Sequence, residues 1–194
     1  MKELKIGCVI MASGNASRFG RNKLKESLGG KTLFCRTLEA IPAHCFARMV
    51  VVSQYAEFAD CAGPLPFPFI YNDSPEKGIS HTIQLGLNAL QGCDGVLFCV
   101  SDQPLLRRET IAQLTALWQK NPDKIAAPAH KGVRGNPCLF PARFFPELLA
   151  LTGDKGGSAV IRRHEEDLVL LEVEARELMD ADTPEALAEI RALG

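Results

Sequence analysis

A chain of 194 residues, 46% hydrophobic and 23% charged, has an ordinary globular balance and enough length to bury a core without disulfide or metal staples. Its formal net charge of -1 argues against a broadly basic surface for nucleic acid. The apolar run that ends near Met11 is too short for a bilayer and lacks a small-residue cleavage site, so neither a membrane span nor a secretory leader is expected. That run, Ile6 to Met11, is the first predicted strand, and a long loop follows it. Phe34, Leu38 and Ile41 then share one helical face, and Met49 to Ser53 reads as a second buried strand. A less regular strand is predicted from Phe67 to Tyr71, then a helix with Ile83, Leu87 and Leu90 inward, and a strong strand from Val96 to Val100. Ile111, Leu114 and Leu117 mark the next helix; strand runs follow at Lys124 to Ala127, Cys138 to Phe140 and Leu168 to Val173. The last helix opens on Thr183 as N-cap and Pro184 at its first position, with Leu187 and Ile190 turned inward.

Strands apolar on both faces and alternating with helices predict one α/β domain over residues 1–194, a mainly parallel sheet with helices on both faces. Ligands of such folds gather at the carboxyl ends of the strands. The seven cysteines (positions 8, 35, 45, 61, 93, 99 and 138) are odd in number and form no Cys-x-x-Cys pair. Several fall inside strand-like runs, where a reduced thiol serves as a small hydrophobe; a cytoplasmic location follows, and a cysteine zinc site does not.

The loop after the first strand reads Ala12-Ser13-Gly14-Asn15-Ala16-Ser17-Arg18-Phe19-Gly20-Arg21-Asn22-Lys23-Leu24, and no helical period returns until about Leu33. It is far longer than a usual βα connection. Its glycines let backbone amides approach an anion, and Arg18 and Lys23 add a planar fork and a point charge, a pairing suited to a triphosphate. A solvated basic turn has the same composition, and both readings stand on composition alone. The Walker A pattern and the Gly-x-Gly-x-x-Gly fingerprint are both absent, which speaks against an NAD(P)-dependent oxidoreductase.

From Val9 to Leu24 the sequence resembles the signature loop of the nucleotidyltransferases that complete molybdenum cofactor, Leu-Ala-Ala-Gly-x-Ser-x-Arg-Phe/Met-Gly-x-x-Lys. Ser13 stands where that family has alanine or glycine. The resemblance implies a Rossmann-like nucleotide-diphospho-sugar (NTP) transferase fold in which amides of Ala12, Ser13 and Gly14, with Arg18 and Lys23, hold the triphosphate.

Five further segments match elements of the family. Asp102, at a strand end before Gln103-Pro104, has the position of a carboxylate for a hard cation or of a turn-stabilising aspartate; its resemblance to the family's Asp-Gln/Met-Pro element implies that it is the Mg²⁺ ligand. Asp180-Ala181-Asp182-Thr183-Pro184-Glu185 resembles Asp-x-Asp-Thr-Pro-Glu-Asp, which implies Asp182 as the second metal ligand and Asp180 as an alternate. Glu76 to Thr82 contains Ser80, which reads as a helix cap; its resemblance to the family's Gly-Met/Ile-Ser/Ala segment implies Gly78 and Ser80 at the nucleobase. Arg134-Gly135-Asn136, in place of the family's Arg-Gly-His, and Lys155, in Gly153-Asp154-Lys155-Gly156, are implied for acceptor binding, with a glycine-rich hairpin and a helix stop as the plain alternatives.

The resemblance is nearest to the cytidylyl branch. It implies an enzyme that joins CTP, or another NTP, to Mo-molybdopterin with Mg²⁺, releasing pyrophosphate, with a molybdenum hydroxylase as the receiving partner. Lys23, Arg18 and Asp102 carry the catalytic roles in that reading. Its rivals are a guanylyltransferase or a relative with another phosphate acceptor, and a non-catalytic cofactor-binding maturation partner.

Overall fold

The computed structural model describes residues 3–14, 22–59 and 68–193. Its centre is β1 (Ile6–Ala12), buried on both faces as its apolar sequence requires. It pairs in parallel with β4 (Arg48–Ser53) on one side and β6 (Gly95–Val100) on the other. Beyond β4 lies the parallel edge strand β5 (Phe69–Tyr71). Beyond β6 the order continues through β9 (Cys138–Pro141) and β7 (Ile125–His130) to β10 (Leu168–Glu172) at the other edge. Strand β9 runs antiparallel to both its neighbours, and the short β8 (Val133–Arg134) pairs antiparallel with β7. The sheet is therefore mixed, with parallel pairings in its β6-β1-β4-β5 half and between β7 and β10.

The period of two along each strand sorts side chains into two cores. Cys8, Ile10, Leu97 and Cys99 meet Phe34 and Leu38 of α1 (Leu33–Ala40) and Ile111, Leu114 and Trp118 of α3 (Arg108–Lys120). Val9, Val50, Val52 and Phe98 meet Ile83 and Leu87 of α2 (Ile79–Ala89), with Leu148 of α4 (Phe145–Leu149) and Ile161 of α5 (Ser158–Ile161). A smaller cluster joins Leu28 and Leu33 to Ala181, Leu187 and Ile190, fastening α6 (Pro184–Leu193) to the amino-terminal part. Thr183 caps α6 as expected, its hydroxyl accepting the Ala186 N–H at 3.1 Å.

Several sequence expectations need correction. In α3 the core position belongs to Trp118, 0% exposed, while Leu117 is half-buried. Six positions after Ile111 is about 240° round the helix, whereas seven returns to the same face. The long connection after β1 is also not structureless up to Leu33. Within it a 3-10 turn spans Lys23–Lys25, and β2 (Ser27–Leu28) and β3 (Lys31–Thr32) form a hairpin through Gly29 and Gly30, both at positive φ. Such a two-residue turn favours glycine. Phe67 and Arg18 lie outside the described residues. Among the described residues no helix is long and apolar enough to cross a membrane.

Candidate active site

The parallel strands β1, β4 and β6 end at one rim, and a cleft of about 490 Å³ opens there. Ser13, Gly14, Lys23, Gly78, Asp102 and Asp182 all line it, although they come from five separate stretches of chain. Asp102 enters two residues beyond β6. Lys23 is presented by the 3-10 turn: the Asn22 side chain accepts the Leu24 N–H at 3.1 Å, and Leu24 is buried beneath it. The Lys23 Nζ donates to Asp102 Oδ2 at 2.8 Å and to Asp182 Oδ1 at 2.6 Å. Burial opposes the charge on Lys23, but the two carboxylates outweigh it and hold the ammonium above its ordinary pKa.

The start of the glycine-rich loop is fixed from the β4 side. Ser53 donates its hydroxyl to the Ala12 carbonyl at 2.8 Å, Gln54 its amide to the Ser13 carbonyl at 2.9 Å, and Tyr55 its hydroxyl to the Gly14 carbonyl at 3.3 Å. In a trans peptide the N–H points opposite to the carbonyl, so these bonds turn the Ser13 and Gly14 N–H groups away from the end of β4. Ala12 itself is buried.

Asp180 stands beside this group. Although the residue is exposed, its Oδ1 accepts from the buried Gln103 amide at 2.9 Å. Lost solvation, then the negative charge of Asp102, push its carboxyl up to about 6, with Gln103 pulling the other way. Among the described residues, four buried side-chain polar atoms have no partner, and three of them, Asn22 Nδ2, Ser101 Oγ and Gln103 Oε1, belong to residues adjacent in sequence to Lys23 or Asp102. Cys99 is not a nucleophile here: burial, and then Asp102, push its thiol up to about 12.

The other sequence candidates fall elsewhere. Gly78 is the N-cap of α2, at φ 79° and ψ -173°, and the 153–154 loop crosses against it. Ser80 does not cap the helix. It is buried, donates its N–H to the Gly153 carbonyl at 3.1 Å and its hydroxyl to the Lys77 carbonyl at 3.3 Å, and is not among the cleft-lining residues. Arg134 donates to Ser158 Oγ at 3.0 Å and Cys138 Sγ at 3.3 Å, Asn136 Oδ1 accepts from Cys138 Sγ at 3.7 Å, and Gly135 packs on Leu178. Neither these three nor the exposed Lys155 lines the cleft; Asp154, beside Lys155, does. Net charge in that loop could not tell which of two neighbouring side chains turns inward.

One buried carboxylate escaped sequence reasoning. Glu177, 0% exposed, accepts from the Arg107 guanidinium at 2.5 Å, the Arg107 N–H at 3.2 Å and the Thr110 hydroxyl. Its burial works to raise the carboxyl, and the Arg107 and Thr110 bonds more than reverse it, leaving Glu177 below the ordinary carboxylate range. A depressed folded-state value stabilises the fold above the unfolded pKa and is lost as pH falls through the folded one. The difference in thermal stability between wild type and Glu177→Gln is therefore expected to be full above about pH 5 and to shrink below about pH 4. A difference constant from neutral to strongly acid pH would contradict this.

Residues 8–168 match the family described as the MobA-like NTP transferase domain. The chain is 27% identical over 197 residues to the purine catabolism protein PucB of Bacillus subtilis (strain 168), covering 94% of each. Among solved structures it resembles a nucleotidyl transferase from Methanothermobacter thermautotroptrophicus, with TM-score 0.81 at 20% identity over 97% of both chains. It also resembles Rv0371C of Mycobacterium tuberculosis H37Rv in complex with manganese, with TM-score 0.79 at 20% identity over 97% of this chain and 98% of that one. Asp182 lies beyond the matched segment, yet the fold returns it to the rim where the signature loop begins. A mixed, mostly parallel sheet with helices on both faces and an NTP-transferase sequence over most of its length make this chain a member of the MobA-like NTP transferase family and a nucleotidyltransferase enzyme.

Proposed function

We propose that the whole chain is one nucleotidyltransferase domain that transfers CMP from CTP to the terminal phosphate of Mo-molybdopterin with Mg²⁺, in the cytoplasm, for delivery to a molybdenum hydroxylase. The observation that carries the chemistry is the convergence of Asp102 and Asp182 on one cation, the Lys23 ammonium, inside the rim cleft. Two carboxylates meeting at a cation-sized point are the donor set that a hard divalent ion takes, with water and phosphate oxygens completing its shell. The relative from Bacillus subtilis, similar along nearly the whole of both chains, supports reading residues 1–194 as one domain. The cytidylyl base and the pterin acceptor rest on the motif resemblance. The six described cysteines are all free, which fits a reducing compartment.

In this reading the acceptor needs no activating base, because a phosphate monoester is already anionic near neutral pH. One of its oxygens forms a bond to the α-phosphorus of CTP; the bond from that phosphorus to the bridging β-oxygen breaks, and pyrophosphate leaves with the electron pair. When bound, Mg²⁺ on Asp102 and Asp182 supplies neutralisation of the phosphate charge. Lys23 is placed to move from the carboxylates to the phosphates, and the oriented amides of Ser13 and Gly14 hold the polyphosphate in line. Arg18 is assigned to the same cradle, and Gly78 to the base. Arg134, Gly135, Asn136 and Lys155 are assigned to the acceptor, reached from outside the cleft.

The test is a panel of CTP, GTP, ATP and UTP, each with Mo-molybdopterin and Mg²⁺, scored for pyrophosphate and for a new dinucleotide. CTP is expected to give the cytosine dinucleotide at least about tenfold faster than the others, since one well-made set of polar contacts to the base suffices for that. Turnover with GTP alone would move the assignment to the guanylyl branch. No dinucleotide from any of the four would remove the pterin acceptor.

A further inference from the structure

The two carboxylates of the proposed ion site sit on arms held at their bases by one residue that neither motif contains. Arg107 lies five positions after Asp102, and Glu177 lies five positions before Asp182. The Glu177 carboxylate joins these bases: it takes the Arg107 N–H, the Arg107 guanidinium and the Thr110 hydroxyl, all at the start of α3. Nearer the cleft the arms are cross-linked twice more, by the Ala181 N–H on the Asp102 carbonyl at 2.8 Å and by Gln103 on Asp180. On the far side, the methyl groups of Leu178 rest on Gly135, where a Cβ would lie only 2.8 Å from one of them.

We propose that Glu177 is a positioning residue: by clamping the base of the Asp182 arm to the first turn of α3, it sets the spacing of Asp102 and Asp182 and so the affinity for a divalent cation. The inference rests on the ion-site reading above. An apolar side chain would fill the same buried place without the cost of stripping water from a charge. What it would lack is direction. Three donors from two residues of one helix start fix the carboxylate in both distance and angle, and the amino end of a thirteen-residue helix favours its negative charge. Past the 3-10 turn Ala175–Leu178 that carries Glu177, and from Asp102 to Arg107, the arms are irregular backbone, so an error at the base passes on to the ion-binding oxygens. Groups that orient ligands from behind commonly change metal affinity by about ten- to a hundredfold when removed.

The experiment titrates Mn²⁺ alone into the full chain, following the loss of the free-ion EPR signal, with thermal unfolding measured in parallel. Glu177→Gln is expected to raise the Mn²⁺ Kd at least about tenfold, and to raise the Mg²⁺ concentration needed for turnover while kcat at saturating Mg²⁺ largely recovers. Trp118→Phe, far along α3, is expected to lower the unfolding temperature yet keep the Kd within about twofold, separating positioning from general loosening. If Glu177→Gln does not fold, Thr110→Val decides: a Kd raised about threefold and restored in Thr110→Ser supports the clamp, and an unchanged Kd overturns it. Folded Glu177→Gln with a wild-type Kd also overturns it. Mn²⁺ uptake that survives Asp102→Ala undiminished would instead sink the ion site, and this inference with it.

Discussion

Asp102→Ala is expected to slow pyrophosphate release by a factor on the order of 10² to 10³ while the protein keeps its fold, the usual cost of removing one preorganised electrostatic group from a polar transition state. The fold survives because the structural part of Asp102 is its backbone: the carbonyl that holds the Ala181 N–H remains after the side chain is cut back. Lys23 keeps its 2.6 Å bond to Asp182, so the ammonium stays inside the cleft. Only the carboxylate is lost, and with it half of the proposed grip on the ion. Steady-state kinetics with a coupled pyrophosphate assay, beside a thermal unfolding curve, measures both halves of the expectation. Turnover within tenfold of wild type, in a protein that unfolds normally, would take Asp102 out of the chemistry.

The second large effect is expected at Gly78→Ala. With φ 79° and ψ -173°, Gly78 occupies a region that residues with a Cβ essentially avoid, at a cost of about 1–3 kcal/mol. A Cβ there would also lie 2.4 Å from the Gly153 carbonyl carbon and 2.6 Å from Asp154 Oδ1. Backbone atoms cannot rotate aside as a side chain does, so the 153–154 loop has to shift. Together, strain and overpacking give a destabilisation on the order of 3 kcal/mol, or a fall in unfolding temperature of roughly 6–12 °C for a chain of this size. Because Gly78 and Asp154 both line the cleft, the KM for nucleotide is expected to rise as well. A Gly78→Ala protein as stable as wild type would show that the loop yields freely.

The layering of this fold was legible because β1, β4 and β6 are apolar on both faces and stand between helical stripes, a pattern with few other solutions. Their carboxyl ends pointed to the rim at which the cleft opens. Where sequence reasoning missed, the reasons are geometric. Spacing by threes selected Leu117, although Trp118 completes the turn. Ser80 looked like a cap, but the N-cap of α2 is Gly78, two residues earlier than the hydroxyl suggested. The antiparallel course of β9 left no mark in a short apolar run. Glu177 sits in the polar stretch Glu172-Val173-Glu174-Ala175-Arg176-Glu177, which reads as a solvated face, and only the approach of Arg107 and Thr110 makes it a buried anchor. Motif resemblance assigned Lys23 to the triphosphate and Asp102 and Asp182 to a shared ion; the bonds from Lys23 to both carboxylates join residues that nothing in local spacing connects.

That separation also orders events during synthesis. Lys23 and Asp182 are 159 positions apart, and the small cluster that seats the final helix needs Leu187 and Ile190 beside Leu28 and Leu33. While a ribosome is still adding residues short of 182, the nascent polypeptide has no second carboxylate to offer the proposed ion site. In the proposed mechanism, competence for the reaction therefore waits until residue 182 and the helix that follows it have been added, and a proteolytic nick that frees that arm would dismantle it again.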